Sequence, residues 1–186
     1  MLKTKSPFYT EFYITNTMIF IGKILMGSFL IAFCAQVSIP LTPVPMTMQS
    51  FAVIVLGLIA NPKIACGSVL VYLSEACMGL PVLEGFSTGA AAILTTGYLV
   101  GFLMMTYFIS LFKSRAQSTA HLFYLCLISQ ILLYTPGITW LAFCIGFKDA
   151  FIFGFYPFIL KIPFDILFAL FTVHFVNQIK NCIPRN

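Results

Sequence analysis

Two ionisable side chains stand four residues apart in an otherwise apolar run: Lys161 and Asp165, in Phe158-Ile-Leu-Lys161-Ile-Pro163-Phe-Asp165-Ile-Leu-Phe-Ala. A charged group within such a run costs at least ~2.5–3.5 kcal/mol to insert into a bilayer, so it usually faces a cavity or a partner. At i, i+4 the ammonium and the carboxylate share a helix face, where they pair with each other or meet a polar ligand together. If the run starts near Phe158, Lys161 lies ~5 Å and Asp165 ~10 Å below its end. Pro163 is expected to distort the turn between them. The plainer alternative is a snorkelling lysine with a structural ion pair. We favour a ligand-binding pair that faces a pocket.

The remaining polar residues in apolar runs say less. Lys23 is expected to snorkel, and His121 and His174 read as boundary residues. Glu75 is compatible with the pocket or with a neighbouring helix. Ser28-x-x-x-Ala32 has the small-residue spacing of a close helix–helix contact. The six cysteines are scattered, with no C-x-x-C and no histidine at ligand spacing, and read as small apolar residues. No G-x-x-x-x-G-K-[ST], H-E-x-x-H or G-x-S-x-G occurs, so the sequence offers no nucleotide-hydrolysing loop, no catalytic residue and no cofactor or metal site. An enzyme is not expected.

The elements that position the pair follow from composition. Of 186 residues 60% are hydrophobic and only 8% charged, and mean hydropathy is +1.01. A soluble domain carries roughly 25% charged residues. Lipid must therefore cover most of the surface, which excludes a cytosolic enzyme, a nucleic-acid binder and a secreted disulfide scaffold.

Six segments approach the ~20 apolar residues of a membrane helix: roughly Met18–Ser38, Met46–Ala60, Ile64–Leu80, Ala91–Phe112, Leu122–Ile145 and Phe158–Val176. Asn61-Pro62-Lys63 joins the short second and third. Thr135-Pro136-Gly137 is expected to kink the fifth or divide it. No ten-residue alternation suggests a β-barrel, and no duplicated half suggests an inverted-repeat transporter. The expectation is an all-α, six-helix integral membrane protein of the cell membrane. It forms a single domain over 1–186, with 1–17 an N-terminal interfacial segment and 177–186 a tail. With the N-terminus cytoplasmic, Lys3, Lys5, Lys63, Lys113, Arg115, Lys180 and Arg185 all fall inside, opposite Glu84, Lys148 and Asp149. The positive-inside rule selects that orientation and places both termini in the cytoplasm. The net charge of +5 is thus explained without nucleic acid.

The outer loops then carry the specificity. Ile39-Pro40-Leu41-Thr42-Pro43-Val44-Pro45-Met46-Thr47-Met48-Gln49 reads as a stiff connector or, more sharply, as a preformed lid, with Thr47 and Gln49 polar at the mouth of a pocket. Gly79-Leu80-Pro81-Val82-Leu83-Glu84-Gly85-Phe86-Ser87-Thr88-Gly89 has glycines that permit close backbone approach. Around Gly146-Phe147-Lys148-Asp149 the chain enters an aromatic run, Phe151 to Tyr156, that suits an interfacial belt.

The run from Ile39 to Gln49 resembles the first-loop signature of the BioY family, the biotin-binding substrate subunits of energy-coupling-factor transporters. Met78-Gly79-Leu80-Pro81-Val82 with Thr96-Gly97-Tyr98-Leu99-Val100-Gly101-Phe102 is similar to its middle signature, and the resemblance spans about residues 20–175. Two departures stand out. The family's Gly-Pro-Thr/Ser-Gly-Gly-Tyr is here Ile93-Leu94-Thr95-Thr96-Gly97-Tyr98. On the last helix Asp165 matches the family's aspartate, but Phe168 stands at its lysine position, and Lys161 offers the cation instead.

The resemblance implies high-affinity capture of biotin at the outer face, a membrane-embedded T component and cytoplasmic ATPases as partners, and no cofactor. It suggests Asp165 as acceptor for the ureido N–H groups and Tyr98 and Phe86 as walls for the apolar ring. Lys161, Ser87, Thr88 or Gln49 would serve the valerate carboxylate, and the Ser28/Ala32 face would meet the partner. The alternatives are a substrate subunit for another small vitamin and a membrane structural or assembly subunit without a ligand.

Overall fold

The computed structural model describes residues 7–88 and 93–182. Lys3, Lys5 and Arg185, Gly89 and the start of the fourth apolar segment at Ala91 lie outside them. Seven α-helices carry the described chain: α1 (Pro7–Gln36), α2 (Gln49–Ile59), α3 (Pro62–Cys77), α4 (Thr96–Phe112), α5 (Thr119–Ile145), α6 (Phe147–Gly154) and α7 (Lys161–Cys182). Two short strands, β1 (Ser38–Ile39) and β2 (Met46–Thr47), pair antiparallel, Ser38 opposite Thr47 and Ile39 opposite Met46. They close the proline-rich run into a pinned loop.

Four stretches are long and apolar enough to cross a membrane: Thr15–Gln36, Ile93–Arg115, Thr119–Ile145 and Phe147–Ile179. The protein is a multi-pass membrane protein. Large apolar side chains such as Met26, Phe29, Phe143, Phe164 and Phe171 stand exposed on the helices, as expected where lipid replaces water. α2 differs in kind. Its 11 residues rise only ~16 Å, and Ala52 to Leu58 are buried without interruption. A helix that is apolar all round belongs inside, and α2 packs among α1, α3, α4 and α7.

Local chemistry sets the boundaries. Asn61 caps α3 by accepting from Ile64 N at 2.9 Å, with Pro62 in the first turn, where its missing N–H is not needed. Ser118 caps α5 likewise through His121 N at 3.2 Å. The Lys113 ammonium donates to the Ala60 carbonyl at the end of α2, a favourable place for a cation. α5 runs unbroken through Pro136, so the expected division into two pieces does not occur. The last helix begins at Lys161 rather than near Phe158, after a 3-10 turn over Tyr156–Phe158. Pro163 therefore sits in a first turn, where the helix makes no i−4 bond for it to break, and it leaves the Lys161/Asp165 face intact.

Close approach of α4 and α5 depends on glycine. A Cβ at Gly97 would strike the Pro136 carbonyl, and one at Gly137 would strike the Tyr98 ring. The Trp140 indole N–H adds a bond to Ile93 O at 2.6 Å.

The small-residue stripe on α1 is occupied within the chain. Ser28 is buried and donates to Glu75 Oε2 on α3 at 2.6 Å. A Cβ at Gly27 would collide with Ser68, and half-buried Ala32 packs on the core. The expectation that Ser28 faces a separate partner is thereby corrected: its hydroxyl is turned inward because α3 supplies a carboxylate there. The same bond answers the question left open for Glu75, which faces α1.

Candidate functional site

One end of the bundle carries the α2–α3 and α4–α5 turns, with Lys63, Lys113 and Arg115, and the Lys113–Ala60 bond ties them together. The other end holds a cavity of about 340 Å³, within the ~300–1,000 Å³ range of small-molecule sites. Its roof is the loop Pro40–Pro45, whose Val44 is buried. The proline-rich run thus forms part of the cavity lining.

The walls are aromatic. Tyr98 and Phe102 of α4, Tyr134 of α5 and Phe158 before α7 all line the cavity. Tyr134 is the hub: it meets Tyr98 edge-on at 6.1 Å and Phe155 at 5.4 Å, with Phe158 tilted at 5.9 Å. Edge-to-face contacts of this kind fix ring orientation beyond what burial alone does. The Tyr98 hydroxyl donates to Gly154 O at 2.8 Å, so the ring face, with its polar tip already satisfied, is what the cavity sees.

Polar groups enter at two places. Near the proline-rich loop, the Thr47 hydroxyl donates to Gln49 Oε1 at 2.9 Å and the Gln49 amide donates to the buried Tyr72 hydroxyl. The first turn of α2 is thereby locked. Ser87 and Glu84 line the same side, and Glu84 accepts from Ser38 at 3.2 Å. At the next residue of α2, Ser50 accepts from the Lys161 ammonium at 2.6 Å and donates to Asp165 Oδ2, the oxygen with which that ammonium also pairs. Lys161 and Ser50 line the cavity; Asp165, 6% exposed, stands behind them. The arrangement can bind and orient a small, mostly apolar molecule. Among the described residues no cluster of histidine, cysteine, aspartate or glutamate could hold a metal.

A family model described as the BioY family matches residues 9–185. This chain belongs to the BioY family. The probable biotin transporter BioY of Pyrococcus horikoshii is 38% identical over 148 residues, 78% of this chain and 86% of that one. The probable biotin transporter BioY of Rickettsia prowazekii is 33% identical over 177 residues, 93% of this chain and 90% of that one. Among solved structures, the S-component for biotin from an ECF-type ABC transporter superposes with a TM-score of 0.77 at 23% identity. That match covers 88% of this chain and 93% of that one, and shows that the fold is shared.

Within this BioY fold the expected site residues separate. Lys161, Tyr98, Ser87, Gln49 and Thr47 line one cavity, with Asp165 directly behind it. Phe86 and Thr88 are not part of its lining. Phe86 has φ +57, donates its N–H to Gln36 Oε1 and is 70% exposed, so it turns outward and is no wall of the pocket. Phe168, at the family's lysine position, is exposed and stacks on Phe51 at 4.8 Å, while Lys161 brings the cation to the cavity. Sequence reasoning missed Ser50, Tyr134, Phe102 and Phe158. The available signals were the place of Ser50 beside Gln49 in the first-loop signature and the place of Tyr134 beside Pro136.

Proposed function

We propose that this chain captures biotin at the outer face of the cell membrane and delivers it as the substrate-binding subunit of an ECF-type transporter. The observation that carries the reading is the aromatic cavity with one buried Lys161–Ser50–Asp165 cluster, in a chain of the BioY family. The Lys161–Asp165 pair is neutral as a unit, so this wall suits the ureido ring, which is neutral and offers two N–H donors beside one carbonyl. Tyr98, Tyr134 and Phe102 suit the apolar thiophane ring. The valerate then extends toward the proline-rich loop, where Gln49, Thr47 and Ser87 offer polar contacts. The one hydrogen bond from the charged Lys161 is worth ~1.5–3 kcal/mol, and burial of the apolar ring among the aromatic walls adds to it.

Sidedness follows from charge. The cavity lies at the end away from Lys63, Lys113 and Arg115, so the positive-inside rule turns it outward. Six helices, α1–α5 and α7, then pass between the faces, the short α2 inside the bundle, with both termini cytoplasmic. The chain has no energy source of its own in this reading. A membrane T component and ATPase subunits supply it, and no catalytic step belongs to this subunit.

Uptake of labelled biotin by cells lacking their own biotin transporter tests the reading. Cells that express the chain with an energising module accumulate biotin, and unlabelled biotin, but not thiamine or riboflavin, competes. Accumulation no greater than in cells without the chain contradicts it.

A further inference from the structure

We propose that Ser50 is a positioning residue for ligand capture: it holds the Lys161 ammonium in one orientation and so fixes the single donor that this wall offers the cavity. The inference rests on the cavity being the ligand site. A lysine ammonium is a compact charge on a flexible stem with three protons to give. One proton of Lys161 goes to Asp165 Oδ2 and one to Ser50 Oγ at 2.6 Å. Ser50 has one proton, which goes to Asp165, and two lone pairs, one of which Lys161 occupies.

The three side chains, one from α2 and two from α7, therefore close a ring of hydrogen bonds. By this count one N–H of Lys161 and one lone pair of Ser50 are left, and both residues line the cavity. That edge complements a group with an acceptor beside a donor, such as an amide or a urea. A carboxylate is a poor match, because its second oxygen would meet the Ser50 lone pair and the Asp165 charge. Without the Ser50 hydroxyl the ion pair persists, but the ammonium is free to turn and the edge is no longer defined.

The test uses the full chain, purified in detergent, as wild type, Ser50→Ala and Ser50→Thr. Three ligands are titrated: biotin, 2-iminobiotin, whose urea carbonyl is replaced by a donor, and biotinamide, whose tail carboxylate is neutral. Wild type is expected to prefer biotin over 2-iminobiotin by about tenfold or more, the worth of one charge-assisted hydrogen bond. Ser50→Ala shrinks that ratio to about threefold or less and leaves the ratio of biotin to biotinamide unchanged. Ser50→Thr, which keeps the hydroxyl, restores the preference. An equal loss for all three ligands in Ser50→Ala, or an unchanged biotin-to-iminobiotin ratio, overturns the proposal and leaves the ligand reading standing. A folded wild type that binds none of the three overturns the ligand reading, and the proposal with it.

Discussion

In the proposed site Lys161 and Asp165 would act on a ligand in different ways, because only Lys161 lines the cavity. The ammonium lines the cavity, and the carboxylate behind it supplies its counter-charge. Asp165→Asn leaves a buried cation without its counter-charge, and removing one partner of such a pair typically costs several kcal/mol. It is expected to weaken biotin binding by about 30-fold or more. Glu84→Gln, in the cavity lining beside Ser38, is expected to weaken it by less than Asp165→Asn does, because the half-exposed Glu84 has no buried counter-charge to leave unpaired. Equilibrium titration of both variants checks this, and equal, negligible effects would remove the pair from the site. Exchanging the two, Lys161→Asp with Asp165→Lys, is expected to abolish binding, because the ring through Ser50 depends on which helix position carries which group. Full binding by the exchanged variant would mark the pair as structural. Both charges were legible in the sequence, since a charge in an apolar run is costly and hence conspicuous. Ser50 was not, because serines are common in membrane helices and its partner lies 111 residues away. Phe86 misled because aromatic character says nothing of a loop residue's φ, and at +57 its ring faces out.

Helices here are recognisable by hydropathy but are placed by their smallest residues. α4 and α5 touch where Gly97 faces the Pro136 carbonyl and Gly137 faces Tyr98. Gly137→Ala pushes directly on the Tyr98 ring that forms a cavity wall. It is expected to cost about 1–3 kcal/mol of stability and to weaken ligand binding at the same time. Thermal unfolding in detergent, with and without biotin, checks both effects, and an unchanged midpoint would mean that the helices do not approach this closely. Ser28→Leu is expected to destabilise the chain by a similar amount, since the hydroxyl and its carboxylate partner lie within the α1–α3 contact. If Ser28 were a docking surface instead, the isolated chain would keep its stability. The Ser28/Ala32 spacing was correctly read as a close contact, but spacing does not name the other helix. Likewise Pro136 was visible, but of the two outcomes expected, a kink or a division, the division does not occur, because neighbouring helices hold α5 together where a proline would break an isolated helix.

At the scale of the whole molecule, the loop cations Lys63, Lys113 and Arg115 lie at the end away from the cavity, and the proposed capture at the outer face depends on that polarity. In a cysteine-free background, a cysteine at Lys63 should be labelled by an impermeant reagent only in opened cells, and one at Lys148 in intact cells. The reverse pattern would turn the cavity inward. The family was legible from two loop signatures, and the six apolar segments correspond in order to α1–α5 and α7. What composition and periodicity could not supply was the cavity itself, which exists only where the proline-rich loop, α2, α4, α5 and α7 converge. The most direct test of the central claim is equilibrium binding of labelled biotin to the purified chain in detergent, with unlabelled biotin and other vitamins as competitors. Saturable binding below about micromolar, displaced by biotin alone, is the predicted result. No binding by a demonstrably folded chain would contradict it.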